Sequence, residues 1–168
     1  MSPAHLPPSE YYAGLAKSIN GAGAILHDQH GRFLLVRPTY RADGTWEIPG
    51  GSLEEGEFPF DGAAREVKEE LGLDLKPGRL LVVDWVPPQP DGRPALANFL
   101  FDGGRISEQQ AEQYVALQSD ELSEWRLAAP GEWDQLLAEH MVRRLHACAE
   151  ALSTGATAYL HHGWHPHR

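Results

Sequence analysis

The stretch from residue 51 to residue 73 constrains this chain more than any other, because it joins a glycine-containing loop to a short helix crowded with carboxylates. It reads GSLEEGEFPFDGAAREVKEELGL. A helix of 3.6 residues per turn places Glu66 and Glu70 on one face, with Glu69 beside them. Like charges at these spacings repel by roughly 0.3 kcal/mol per pair. Helix stability therefore gives no reason for the clustering.

A group of carboxylates on one helix face has a chemical use. Mg²⁺ and Mn²⁺ prefer carboxylate, carbonyl and water oxygens, and they bridge to phosphate groups. A solvated acidic surface is the ordinary interpretation of a helix rich in glutamate. A separate apolar stripe, which we expect to be buried, is formed by Phe60, Ala64, Val67 and Leu71.

The fixed positions of residues 51–73 resemble the Nudix box, G-x5-E-x7-R-E-U-x-E-E-x-G-U, in which U is an apolar residue. The pattern is matched at every position, by Gly51, Glu57, Arg65, Glu66, Val67, Glu69, Glu70, Gly72 and Leu73. The preceding WEIPG also resembles this family. The resemblance implies an α/β (α+β) protein with the Nudix fold, in which a mixed β-sheet is sandwiched between α-helices.

The resemblance also implies roles for individual residues. Mg²⁺, or Mn²⁺ as a substitute, would be held by Glu57, Glu66, Glu69, Glu70 and the carbonyl of Gly50. Arg65 would orient these carboxylates. The general base stays open between Glu69, Glu66 and a carboxylate near Glu121, where Asp120 and Glu124 are also candidates. The expected substrate-binding residues are Arg37, Asn98 and Phe99, and the proline-containing segment 87–92 is a candidate for substrate selection.

The function implied by the resemblance is metal-dependent hydrolysis of a diphosphate linkage. The substrate would be a nucleoside diphosphate linked to another moiety, such as a nucleoside triphosphate, ADP-ribose or a nucleotide sugar. One alternative is a catalytically silent domain that binds or senses a nucleotide. Another is an enzyme like the prenyl diphosphate isomerases. An active-site cysteine would favour the isomerase, whereas Cys148 falls on the apolar face of the predicted terminal helix.

Charge and composition limit the classes of partner that we expect this protein to bind. Fourteen basic against twenty-four acidic residues give a formal charge of −10, which argues against a nucleic-acid partner, since that requires a basic patch. No apolar run approaches the roughly 18 residues that a membrane span needs. The single cysteine permits no intramolecular disulfide, and residues 1–12 lack a secretory signal. We therefore expect a cytoplasmic protein with a small phosphorylated substrate and no membrane partner; the family resemblance adds a possible homodimer.

The chain reads as one domain, residues 13–155, between a flexible arm (1–12) and a histidine-rich tail (156–168). The patterns predict strands at 18–28, 32–37, 46–48, 80–86 and 95–101. They predict helices at 59–71 and at 132–152, the latter ended by Gly155. Residues 108–117 fit a short helix or a flexible loop. We expect the tail, with its histidines at 161, 162, 165 and 167, to be solvated, although this spacing could capture a transition metal.

Overall fold

The computed structural model describes residues 6–166, which form a mixed sheet with helices on both faces. The strands are β1 (Ser18–His27), β2 (Phe33–Pro38), β3 (Gly50–Ser52), β4 (Leu80–Val86), β5 (Ala95–Arg105), β6 (Leu122–Ala128) and β7 (Ala158–His161). The helices are α1 (Pro8–Ala13), α2 (Pro59–Leu71), α3 (Glu108–Tyr114), α4 (Trp133–Leu136) and α5 (Glu139–Thr154). The strand order is β6-β2-β1-β5-β4-β7, and β3 pairs with β1. The β1–β5 and β4–β7 pairs are parallel, whereas the other pairs are antiparallel.

The hydrophobic core has a layer on each side of this sheet. Helices α4 and α5 bury Trp133, Leu145 and Cys148 against one face. Helices α2 and α3 bury Val67, Leu71 and Ala111 against the other. The fold is therefore a sheet between two layers of helices, which confirms the mixed sheet between helices that the family resemblance implies.

Helix α2 has the bounds predicted from the sequence. Pro59 occupies its first turn, where the missing N–H costs nothing, and Gly72 ends it in the left-handed conformation at φ +70°. Val67 and Leu71 are fully buried as expected, but Ala63 accompanies them in place of Ala64. Residues 63, 67 and 71 are spaced by four, so they form one row along the helix.

The single helix predicted at residues 132–152 is wrong in one respect, because the structure interrupts it. Helix α4 stops at Leu136, Leu137 is extended (φ −121°, ψ 154°), and α5 begins after Ala138. The Leu136 carbonyl, released by the interruption, accepts the N–H of Trp46 at 2.8 Å. This contact fixes the first turn of α5 beside the loop that precedes β3. Gly155 ends α5 as predicted, with φ +77°.

Two other predicted elements differ in detail. The strand expected at residues 46–48 is reduced to one bridge between Glu47 and Val36, and regular pairing begins only at β3. Of residues 108–117, for which a short helix or a flexible loop is predicted, Glu108–Tyr114 form the helix α3, which starts with a capping box between Ser107 and Gln110.

The two ends of the chain are more ordered than expected. Within the predicted arm, Pro8–Ala13 forms α1, while residues 1–5 lie outside the described residues. The expectation of a solvated tail is wrong for β7, which adds a strand beside β4 and buries Leu160 completely. His167 lies outside the described residues. Over residues 6–166, no helix has the length and apolar character to cross a membrane.

Candidate active site

The site is built on a contact between two backbone segments, β1 and the glycine pair that opens β3. A β-carbon on Gly50 would lie 2.4 Å from the carbonyl oxygen of Ala22, and one on Gly23 would lie 2.6 Å from that of Pro49. Real β-carbons do not approach so closely. Gly50 also has φ +153°, which side chains of L-residues rarely allow. Glycine is therefore required at both positions for the loop to lie flat on β1.

Helix α2 presents two carboxylates to this loop. The N–H of Gly50 donates to Glu70 Oε2 at 2.9 Å. A β-carbon on Gly51 would lie 2.5 Å from Glu66 Oε1, so the Glu66 carboxylate rests directly on the loop backbone. Burial raises the pKa of Glu70 to about 8; the bond from Gly50 lowers it, and the charges of Glu66 and Glu47 raise it further. Glu70 is thus a partly buried acid beside other acids.

Arg65 holds the remaining carboxylates of the helix. Its Nε and Nη2 donate to Glu57 at 2.8 and 3.0 Å, and its Nη1 donates to Glu66 at 2.9 Å and Glu69 at 3.0 Å. Nη2 also donates to the carbonyl of Ser52 at 3.0 Å. The guanidinium of Arg65, with the N–H of Glu54, lowers the pKa of Glu57 to about 2. This geometry supports the orienting role expected of Arg65.

The donors of this site suit a hard divalent cation. Among residues 6–166, no three carboxylate, imidazole or thiol groups are gathered closely enough to enclose a metal by themselves. Mg²⁺ does not need such a cage, since it keeps several waters and is held by one or two carboxylates together with substrate phosphates. Within the same residues no basic side chain is paired with Glu70. A partly buried acid without a counter-charge, beside Glu66, fits a cation.

A cavity of about 540 Å³ borders the glycine loop, a volume in the range of small-molecule sites. Asn98 lines it, as expected for a substrate-binding residue. Phe99 instead packs in the core under α2, because successive residues of β5 point to opposite faces. Arg37 is also absent from the cavity lining, and its Nη1 donates to Glu124 at 2.7 Å. The structure therefore brings only Asn98 of the three to the cavity.

Glu121 is the acid of segment 120–124 whose charge acts on the helix carboxylate of Glu70. The segment is tied to α2 by a bond from the N–H of Gln118 to the carbonyl of Glu70. The charge of Glu121 adds to the raised pKa of Glu70, whereas Glu124 is engaged by Arg37. Glu121 is exposed, and its role as general base stays a prediction.

Several cavity residues were not predicted from the sequence. Glu47 lines the cavity and is held by Arg41 and by the hydroxyl of Tyr40. His140, Arg144 and His162 line the far end, along with Gln89 and Arg93 from the loop between β4 and β5. Of these, Gln89 belongs to the proline-containing segment 87–92, in agreement with the selection role expected of that segment. The sequence contains one indication of the residues at the far end of the cavity, because a single acid, Asp84, interrupts the apolar run LLVVDWV.

His140 gives the site a measurable pH response. Burial, then the charge of Arg144 and the ring of His162, lower its pKa to about 4, and only Asp84 opposes the shift. The folded state thus binds its proton less readily than the unfolded state, whose reference pKa is 6.5. Stability from neutral His140 is complete above pH 6.5 and is lost as the pH falls toward 4.

We expect His140→Asn to remove this dependence. Because His140 is only half buried, solvent screening reduces the effect to about 1 kcal/mol. Urea denaturation should show that the advantage of the wild type over His140→Asn shrinks by that amount between pH 7.5 and pH 4.5. The exposed His146 of the same helix serves as control. An equal shrinkage for His146→Asn would contradict the assignment.

Known proteins resemble both the sequence and the fold. A family model described as NUDIX domain matches residues 17–147. A MutT-like protein of Streptomyces ambofaciens is 44% identical over 70 residues, covering 41% of this chain and 43% of the relative. A putative ADP-ribose pyrophosphatase, YjhB, of Bacillus subtilis is 40% identical over 73 residues, covering 40% of this chain and 33% of the relative. An 8-oxo-dGTP diphosphatase of Proteus vulgaris is 37% identical over 67 residues, covering 39% and 60%.

Solved structures agree on the fold. A MutT protein from Methanosarcina mazei superimposes with a TM-score of 0.67 at 22% identity, covering 83% of this chain and 98% of that one. The NUDIX domain of Shewanella oneidensis NrtR, solved with ADP ribose, gives 0.63 at 19% identity, covering 88% and 99%. The curated relatives are matched over less than two thirds of their own length, so it is the family match, spanning most of this chain, that identifies it. The chain belongs to the NUDIX domain family.

Proposed function

We propose that the protein is a Mg²⁺-dependent hydrolase that cleaves the diphosphate linkage of a nucleoside diphosphate joined to another moiety. The observation that carries this proposal is the contact of Glu66 and Glu70 with a glycine loop that also borders a cavity of about 540 Å³. Acids for a cation and room for a nucleotide thus meet at one loop. Related proteins named for ADP-ribose and 8-oxo-dGTP hydrolysis point to the same class of bond.

The residues have distinct tasks in this proposal. Glu66, Glu69 and Glu70, with the carbonyl of Gly50, would hold Mg²⁺, and Glu57 keeps Arg65 in position. A bound Mg²⁺ supplies charge neutralisation on the phosphate oxygens and a water of lowered pKa. The side chain of Glu69 is 55% exposed, so it is open to water as a proton acceptor. Glu121 is the second candidate for that proton.

Hydrolysis of a panel of nucleotides, followed by chromatographic separation of the phosphorylated products, tests the proposal. The panel contains nucleoside triphosphates, dinucleotides, ADP-ribose and nucleotide sugars, assayed with Mg²⁺, with Mn²⁺ and with chelator. We expect turnover of one class that chelator abolishes. Glu69→Gln should lower kcat about 100-fold, the usual contribution of a positioned acid or base. The variant should still fold, because the exposed pair of Glu69 with Arg65 adds less than about 1 kcal/mol to stability.

Glu55→Gln is the matched control, since it removes an equal charge from the exposed loop before α2. Its activity should equal that of the wild type. Glu121→Gln changes none of the proposed Mg²⁺ ligands, so a comparable loss of kcat in this variant would assign the base to Glu121, and wild-type activity would exclude Glu121 as the base. If no compound is turned over while a nucleotide raises the melting temperature, the chain is a nucleotide-binding domain and the hydrolase proposal fails.

The prenyl diphosphate isomerase alternative would need a cysteine in the active site, and the position of Cys148 does not provide one. Cys148, the only cysteine of the chain, lies on the buried face of α5, where burial raises the pKa of its thiol to about 12. It does not line the cavity at the glycine loop. A protonated thiol inside the core cannot reach a substrate in that cavity.

A further inference from the structure

The far end of the cavity contains a buried ion pair that the hydrolytic chemistry does not use. Asp84 on β4 is completely buried, and its Oδ2 accepts the Nε of Arg144 at 2.7 Å. Its Oδ1 accepts the N–H of Gly163 at 3.0 Å. Only 7% of the Arg144 side chain is exposed, yet Arg144 lines the cavity. Breaking such a pair is costly, so Asp84 holds the guanidinium in one orientation.

Hydrogen-bond donors of Arg144 and of the neighbouring Asn98 are free to bind a ligand. Nη1 of Arg144 faces the sulfur of Met141 at 2.9 Å, a weak acceptor. Nη2 forms no hydrogen bond with any of residues 6–166. Beside the pair, the Nδ2 of Asn98 is buried without a partner. A buried donor without an acceptor is unfavourable, and one ligand group could accept its hydrogen bond.

Strand register places these donors relative to the glycine loop. Ser52 pairs with Gly21, Gly21 with Asn98, and Asn98 with Asp84, so the four residues form one row across the sheet. Three interstrand spacings make the row about 14 Å long. That length suits a substrate whose diphosphate lies at the loop and whose other end lies at Arg144.

The surroundings favour a flat, uncharged group over an anion. The charge of Arg144 is already balanced by Asp84, so an added oxyanion would leave an excess negative charge in a half-buried place. Leu96, Leu100 and Met141 give this part of the cavity apolar walls. The depressed pKa of His140 keeps its ring uncharged at neutral pH. Donors between apolar walls match the carbonyl-bearing edge of a nucleobase.

Building on the proposed hydrolase function, we propose that Arg144, held by Asp84 and assisted by Asn98, selects nucleotides whose base carries an oxo group at its hydrogen-bonding edge. The guanidinium and the amide both donate to the base oxygen, which has two lone pairs to accept them. An amino group at the same position would present hydrogen atoms to these donors, and the donors would stay unpaired. Inosine and uridine nucleotides should therefore be preferred to adenosine and cytidine nucleotides.

The test uses substrates that differ at one substituent. ITP and ATP differ at C6, and UTP and CTP differ at C4. We expect kcat/KM to favour the oxo member of each pair at least about tenfold, because the amino member leaves these donors without their acceptor. Arg144→Lys can keep a charge beside Asp84 but loses the planar fork, so it should bring both ratios to within about twofold. The exposed Arg105→Lys is the matched control and should keep the wild-type ratios.

Equal use of both members by the wild type, preference for the amino member, or an unchanged ratio in Arg144→Lys would each overturn the inference. So would a preference for a 3′-phosphorylated nucleotide that Arg144→Lys abolishes, since that would assign an oxyanion to the subsite. Calorimetric binding of IMP and AMP in chelator separates this inference from the hydrolase proposal. Tighter binding of IMP, lost in Arg144→Lys, supports the subsite even where no nucleotide is hydrolysed. Equal binding of the two refutes it.

Discussion

Alanine in place of Gly50 is expected to lower the free energy of unfolding by roughly 3 kcal/mol or more and to abolish catalysis. The new β-carbon would lie 2.4 Å from the carbonyl oxygen of Ala22 and 2.7 Å from the α-carbon of Gly23. Both atoms belong to backbone in the middle of the sheet, so neither can move freely. Backbone strain at φ +153° and overpacking each cost about 1–3 kcal/mol.

Catalysis is lost for a second reason, because the N–H of Gly50 would no longer meet Glu70. Guanidinium denaturation and the hydrolysis assay measure the two effects. Two glycines supply graded controls. Gly56→Ala carries a positive φ of +78° with nothing within 4 Å, so it should show backbone strain alone. Gly131→Ala has neither problem and should leave stability nearly unchanged. A Gly50→Ala protein as stable as Gly131→Ala would refute the packing of this loop.

The second large effect is expected from Asp84→Ala, which should destabilise the protein by about 3–5 kcal/mol. The change leaves the guanidinium of Arg144 buried without a counter-charge and removes the acceptor of the Gly163 N–H. Arg144→Met should also destabilise the fold, since it leaves Asp84 uncompensated.

A double-mutant cycle identifies the pair as the cause. In Asp84→Ala/Arg144→Met no isolated charge remains, so the double variant should be markedly more stable than the sum of the single losses implies. Urea denaturation of the four proteins at one pH gives the coupling energy directly. Additive losses would mean that the two side chains act separately, and the buried pair would then not be what orders this end of the cavity.

The sequence predicts best the parts of the fold that depend on local chemistry. Helix α2 was predicted to the residue because Pro59 and Gly72 mark its ends chemically. The grouping of Glu66, Glu69 and Glu70 on one side of the helix followed from helical periodicity alone. The direction of a strand side chain was harder, since Asn98 and Phe99 are neighbours and the face that forms the cavity depends on which helix covers it.

What the sequence does not reveal depends on contacts between distant residues. The interruption at Leu137 breaks no rule of composition, since neither proline nor glycine marks it; it accompanies the bond from Trp46 to Leu136. The role of Arg144 was equally hidden. It adjoins the apolar stripe of α5, and its charge becomes understandable only when Asp84, sixty residues earlier, is seen beside it.

The position of β7 bears on the order in which this molecule acquires its parts during folding. Gly163 and His162, just beyond that strand, bond to Asp84 and to the carbonyl of Trp85. The glycine loop meets a strand that begins at residue 18. The two ends of the cavity are therefore completed by segments far apart in the chain, and contacts of such long separation form slowly. The carboxylate helix can acquire its shape early from local interactions, whereas the opposite end of the cavity is finished only when the last strand docks.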